Sequence, residues 1–179
     1  HVLAQPNELD EQEDVRGDNV LRLLQSCAES YQYCMVDCGT ALNEATLTTM
    51  TVADTLLLVV NPDVPSVKNA WRRLQLFDRI GVERTRVRLV VNRYEKRAQL
   101  TLSDIESNLG LGVAASIEND WKTLSQAVNE GRLVRDVNKK SVAARDISNM
   151  VTLITDGDEF VRPSSPEGKK AGALSWLFN

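Results

Sequence analysis

Predominantly apolar runs recur along the chain, and each stops abruptly in polar side chains. Tyr33-Cys34-Met35-Val36 runs into Asp37 and Gly39, Thr55 to Val60 into Asn61-Pro62-Asp63, Val87 to Val91 into Asn92-Arg93, and Val113 to Ile117 into Glu118-Asn119-Asp120. Runs of this length without alternation predict parallel strands covered on both faces. Between them the spacing is helical. Val20, Leu21, Leu23 and Leu24 predict a helix over 15–28 with Asp14 as its candidate cap, and a second is expected over 44–53. Val67, Ala70, Trp71, Leu74 and Phe77 form one apolar stripe over 66–80, where Ser66 reads as the cap. Thr101 and Asp104 have capping-box spacing with Gly110 as the stop, Asp120 opens a helix that Gly131 ends, and 141–154 reads as a last amphipathic helix.

This alternation predicts an α/β domain, doubly wound, with a mostly parallel sheet and helices on both faces. One core is expected over 1–154. The segment 155–179, rich in Asp, Gly, Ser, Pro and Lys, reads as a flexible tail. His1-Val2-Leu3-Ala4, apolar and then broken by Pro6, reads as the end of a strand begun upstream.

Composition narrows the chemistry. The 179 residues carry 21 Lys and Arg against 25 Asp and Glu, a net charge of −4 that lends nucleic-acid binding no support. The single histidine is His1, so histidine triads, histidine relays and histidine metal sites lack their central residue. Cys27, Cys34 and Cys38 are too few for a four-ligand site and read as reduced, packed thiols. No apolar run approaches the roughly 20 residues of a membrane-spanning helix.

In an open parallel sheet ligands sit beyond the carboxyl ends of the strands, so the residues closing each run are the candidates. Asp37 followed by Gly39 suits the outer shell of a magnesium ion on a nucleotide, and suits a turn cap equally well. Asn92 could both donate to and accept from one base edge, although a loop residue serving backbone groups is the simpler reading. The cluster Arg84, Arg86, Arg88, Arg93, Lys96 and Arg97 reads as a solvated face.

Taken in order, these strand ends resemble the MinD/ParA class of deviant P-loop ATPases, and within it most resemble the CpaE/TadZ branch of pilus-assembly proteins. The resemblance is carried by Tyr31 to Gly39, Ala53 to Ser66, Leu89 to Arg93, and Ile117 to Asp120 with Ala127 to Gly131, and it spans Val2 to Ile154. It implies a P-loop NTPase-like fold that binds ATP and Mg. Asp37 would hold or orient the magnesium shell and the attacking water, and Asn92 would contact adenine. Gly39, Arg93, Glu118 and Asp120 are carried over as nucleotide-binding positions, with the loop from Gly39 to Asn43 as a switch at a homodimer face. The implied function is an ATP-binding localisation factor in Flp (type IVb) pilus or secretion-system assembly, cytoplasmic, at the inner membrane or cell pole. A non-catalytic docking scaffold and a ParA-like DNA-partitioning ATPase are the alternatives.

The sequence departs from the family in two places. It lacks the phosphate-cradling Gly-Lys loop, so it is read as truncated at its N-terminus and not expected to hydrolyse ATP alone. Glu118 stands where the family usually has proline. In the tail, Lys169, Lys170, Leu174, Trp176, Leu177 and Phe178 supply the basic and apolar parts of a candidate membrane anchor.

Overall fold

The computed structural model describes residues 1–3 and 15–155, which fall into two compact units, 1–53 and 54 onward. The candidate cap Asp14 and the whole tail from residue 156, including the six candidate anchor residues, lie outside the described residues.

In the first unit α1 (Gly17–Ser30) packs against α2 (Glu44–Val52). Arg16 stands at the α1 N-cap without a side-chain cap bond, so the helix depends on packing rather than capping. The packing is tight at Gly17, where a Cβ would lie 2.5 Å from Thr48 Oγ1 and 2.9 Å from Glu44 Oε1. Asn43 caps α2, its Oδ1 accepting from the Thr46 N–H at 2.9 Å. Thr46, Thr48 and Thr49 are buried, and the Thr49 hydroxyl is satisfied by donating back to the Ala45 carbonyl at 2.9 Å.

Two expected strands are not found in this unit. Residues 33–36 form no ladder, and Met35 and Val36 are 81% and 44% exposed. A strand exists through its hydrogen-bonded neighbour, and among the described residues of 1–53 there is none to pair with it. His1, Val2 and Leu3 likewise join no ladder.

The second unit matches the predicted alternation closely. Three parallel strands, β1 (Leu56–Val60), β2 (Val87–Tyr94) and β3 (Val113–Glu118), lie in that order. They alternate with α3 (Val64–Arg79) and α4 (Leu102–Leu109), and are followed by α5 (Trp121–Glu130), the short α6 (Val134–Val137) and α7 (Val142–Thr155). Alternate β2 side chains go to opposite faces. On one face Val90, Leu57, Ala115 and Ile117 pack with Leu124 of α5 and Ala143, Ile147 and Met150 of α7. Leu89 and Val91 point the other way and are completely buried on the side where α3 lies against β1 and α4 against α3.

The caps explain the boundaries, with one correction. Ser66 does not cap α3. Asp63 does, its Oδ1 accepting from the Ser66 N–H at 2.8 Å, while Ser66 Oγ accepts from the Asn61 N–H at 2.9 Å. A carboxylate two residues before Pro65 competes better for the cap, and the proline then sits in the first turn, where no N–H is needed. The capping box of α4 is present, with Asp104 Oδ2 accepting from the Thr101 N–H at 2.9 Å, and Gly110 ends the helix in the left-handed conformation.

Gly17→Ala is expected to destabilise the first unit by about 1–2 kcal/mol, because overpacking of roughly 1–3 kcal/mol outweighs the helix preference of alanine. Urea unfolding followed by circular dichroism measures it.

Candidate functional site

The carboxyl edge of β2 and β3 holds four of the expected site residues, Asn92, Arg93, Glu118 and Asp120. Asp37 and Gly39 belong to the first unit.

β2 runs three residues further than the apolar run predicts, and its end is irregular. Val91 pairs with Ser116 and Tyr94 with Glu118, so three steps along β2 match two along β3. The extra residue makes a bulge. Arg93 carries it at φ +53°, the one non-glycine with positive φ among the described residues. The Asn92 Oδ1 accepts from the Arg93 N–H at 3.0 Å and so supports the turn. A left-handed conformation costs a side-chain-bearing residue about 1–2 kcal/mol, and such costs concentrate at functional sites.

Beyond the bulge the two strands stay tied. The Asn119 N–H donates to the Tyr94 carbonyl at 3.0 Å, and Asn119 Nδ2 donates to Glu95 Oε1 at 2.5 Å. The Glu118 N–H donates to Asp146 Oδ2 at 3.0 Å, fixing the end of β3 to α7. Asp120 caps α5 through Oδ1, which accepts from the Thr123 N–H at 3.4 Å. Its Oδ2 accepts from the Ser141 hydroxyl at 2.6 Å, and Ser141 Oγ in turn accepts from the Ala144 N–H at 3.2 Å, capping α7. The Ser141 hydrogen bond holds the Asp120 carboxyl below the usual carboxylate range. Both Asp120 oxygens therefore serve the scaffold.

Two clefts open at this edge. One, of about 210 Å³, is lined by Arg93, Asn119, Trp121, Leu124, Val128 and Asn129. The other, of about 240 Å³, is lined by Tyr94, Lys96, Ser116, Glu118, Arg145 and Asp146. Arg93 and Glu118 thus belong to different clefts, and Asn92 lines neither. Arg93 has no carboxylate partner among the described residues, whereas Arg145 pairs with Asp146 at 3.0 Å. Sequence reasoning missed Trp121. It directly follows a helix cap and is 67% exposed, and a large aromatic outside a core stripe was the available signal.

In the first unit Asp37 Oδ1 accepts from the Gly39 N–H at 2.9 Å, a tight turn in which Gly39 takes φ +57°. Its other oxygen makes no hydrogen bond to a described residue. Burial pushes the Cys34 and Cys38 thiols up, with Cys27 adding at Cys34 and the Asp37 charge adding at Cys38, so neither is an activated thiolate.

The basic cluster is not one face. Arg84 and Arg86 precede β2 and Arg93 lies at its far end, so about 20 Å of strand separates them. Arg84 is also engaged, donating to both oxygens of Asp78 at 2.9 and 2.6 Å and holding that carboxyl below its ordinary range.

The edge is that of an open parallel α/β sheet, and comparison with known proteins sharpens the class. No protein-family model matches the chain. Its sequence is similar to the septum site-determining protein MinD of Thermotoga maritima, 22% identical over 147 residues, covering 79% of this chain and 54% of the relative. It is also similar to a MinD-type septum site-determining protein of Nephroselmis olivacea, 24% identical over 119 residues, covering 63% of this chain and 42% of the relative. The chain spans about half the length of the curated relatives it matches.

Among solved structures, a ParA family ATPase from Chlorobium tepidum superposes with a TM-score of 0.75 at 22% identity, covering 80% of this chain and 60% of that one. The MinC:MinD complex of Aquifex aeolicus gives 0.65 at 22%, covering 86% and 60%. MinD of Pyrococcus horikoshii complexed with Mg-ADP gives 0.66 at 15%, covering 78% and 56%. The fold is the α/β fold of the MinD and ParA proteins, with a parallel sheet flanked by helices. The sequence relatives support kinship with that class of P-loop ATPases.

Asp120→Ala is expected to cost about 2 kcal/mol, since it removes a helix cap and strands the hydroxyl of Ser141, which is 3% exposed. Because the folded carboxyl titrates below its unfolded value of about 3.9, its contribution is complete above that pH and lost as pH falls through the folded value. Urea unfolding at pH 7 and pH 3 should therefore show the deficit of the variant shrinking in acid.

Arg93→Gly is expected to raise stability by about 0.5 kcal/mol, as relief of the left-handed strain exceeds the entropy of glycine. Thermal melts measure it.

Proposed function

We propose that the chain is part of a nucleotide-dependent localisation ATPase of the MinD/ParA class. The observation that carries this reading is the strained bulge at Arg93. It sets a guanidinium with no carboxylate partner among the described residues, and an open cleft, at the carboxyl edge of a MinD/ParA-type sheet, where such folds take their ligands. Arg93 and Asn119 would frame the nucleoside end of ATP, with Asp120 holding the start of α5 beside them and Asn92 shaping the turn that carries Arg93 and offering its remaining amide group to the base. Glu118 would stand beside the bound nucleotide on the neighbouring cleft.

On the family resemblance alone, Asp37 and Gly39 of the first unit are assigned to the phosphates. A magnesium ion keeps most of its waters and takes one or two carboxylates, so a solvent-facing Asp37 with one oxygen held by Gly39 and the other unengaged fits an outer-shell role. Bound there, the ion would neutralise charge on the β- and γ-phosphates. Asp37 would orient the attacking water, and the left-handed turn at Gly39 would let the loop up to Asn43 respond to the phosphate at a homodimer face.

Within the class we favour a CpaE/TadZ-like role in pilus or secretion-system assembly, from the motif spacing around Asp37, Asn92 and Asp120. That role has a cytoplasmic protein reaching the inner membrane or cell pole, with Lys169, Lys170, Leu174, Trp176, Leu177 and Phe178 as its membrane contact. Among the described residues no helix is long and apolar enough to cross a membrane. The second reading is a docking scaffold that keeps the fold without catalysis, favoured by Glu118 in place of the family proline. DNA partitioning is disfavoured by the separation of the two arginine groups along β2.

The test is calorimetry and phosphate release with Mg-ATP on the full-length protein. Asp37→Ala is expected to keep binding while lowering hydrolysis at least 100-fold, and Asn92→Ala to weaken binding about tenfold, the scale of one lost base contact. Absence of nucleotide binding to the wild type would favour the scaffold.

A further inference from the structure

Trp121 is the first residue of α5 and stands 67% exposed, although nothing in the packing of the second unit requires an indole there. Its base is rigid, since the preceding Asp120 is held by both Thr123 and Ser141. Leu124 and Val128 follow on the same side of the helix and continue an apolar floor along the cleft. The rim is polar, with the Arg93 guanidinium, the Asn129 amide, and the Asn119 carboxamide whose Nδ2 already donates to Glu95. A flat apolar floor with a few hydrogen-bonding groups and one cation at the rim suits a flat heterocycle with polar edges attached to an anion.

We propose that the Trp121 indole is the stacking platform for the purine of the bound nucleotide, with Arg93 at the rim of the same cleft. The inference rests on the nucleotide reading above and assigns base recognition mainly to Trp121 and Arg93, because the Asn92 Oδ1 is engaged by the Arg93 N–H and Asn92 does not line the cleft. Every base has a π-face, so the platform supplies affinity more than discrimination between bases.

The experiment compares ATP, adenosine and base-free tripolyphosphate on the full-length wild type, Trp121→Ala and Trp121→Phe. Calorimetry gives the affinities, and the Trp121 indole N–H is followed by NMR. Because Trp121 is largely exposed, the variants are expected to melt like the wild type. The expected result is ATP affinity about tenfold or more weaker in Trp121→Ala, largely kept in Trp121→Phe, with tripolyphosphate unaffected. Equal ATP affinity in wild type and Trp121→Ala overturns the platform and leaves the nucleotide reading standing. An indole N–H that shifts with adenosine in a protein that does not bind Mg-ATP supports the platform and overturns the ATPase reading. No response of the indole to either ligand, with no ATP binding, overturns both.

Discussion

One extra residue in β2 governs the arrangement of the carboxyl edge. Up to Val91 the strand keeps strict register with β1, shifts once against β3 between Leu89 and Val90, and sends its side chains into two covered faces. At Arg93 the backbone turns left-handed, the register slips by one, and the residues beyond no longer continue either face of the core. Tyr94 falls opposite Glu118 in one cleft while Arg93 lines the other. A regular strand would have sent these side chains alternately up and down into helices. The bulge frees them, at the cost of a conformation that only the surrounding hydrogen bonds make tolerable.

Those hydrogen bonds extend the influence of the edge into the helices. Asp120 joins the start of α5 to Ser141, and Ser141 caps α7, so one carboxylate fixes the entry of two helices. Asp146, one turn into α7, accepts from the Glu118 N–H. The end of β3 is thus bonded to the same helix that covers Val90 and Ile117. Movement of α7 relative to the sheet would have to break a charge-assisted hydrogen bond at the edge, and of the two clefts it is the one lined by Arg145 and Asp146 that borders this helix.

Where local chemistry decides structure, the chain could be read directly. The predominantly apolar runs at 56–60, 87–91 and 113–117 form parallel strands, and the capping box at Thr101 with its stop at Gly110 forms as spaced. Asp120 was legible as a strand-ending carboxylate, but its bond to Ser141 spans 21 residues and no spacing rule reaches that far. Tyr33 to Val36 has the same apolar character as the true strands and forms none, because pairing depends on a neighbour and not on the run itself. Ser66 and Asp63 are both good caps three residues apart, and Pro65 decided between them. The bulge was invisible, since Arg is not a residue that marks a left-handed turn. Trp121 shares a helix side with Leu124 and Val128, but spacing alone does not tell an apolar row that lines a cleft from one that faces a core.

The two covers of the sheet arrive at different times as the chain is made. α3 and α4 lie between the strands in sequence, so the face bearing Leu89 and Val91 is covered as soon as β2 and β3 exist. The opposite face, with Leu57, Val90 and Ile117, gains only Leu124 of α5 soon after β3 and is completed by Ala143, Ile147 and Met150, more than twenty residues after the last strand. At synthesis rates of roughly 5–20 residues per second that interval lasts on the order of seconds, far longer than hydrophobic collapse. A nascent sheet with one largely uncovered apolar face is a substrate for holding chaperones, and α7 is the element whose emergence ends that exposure.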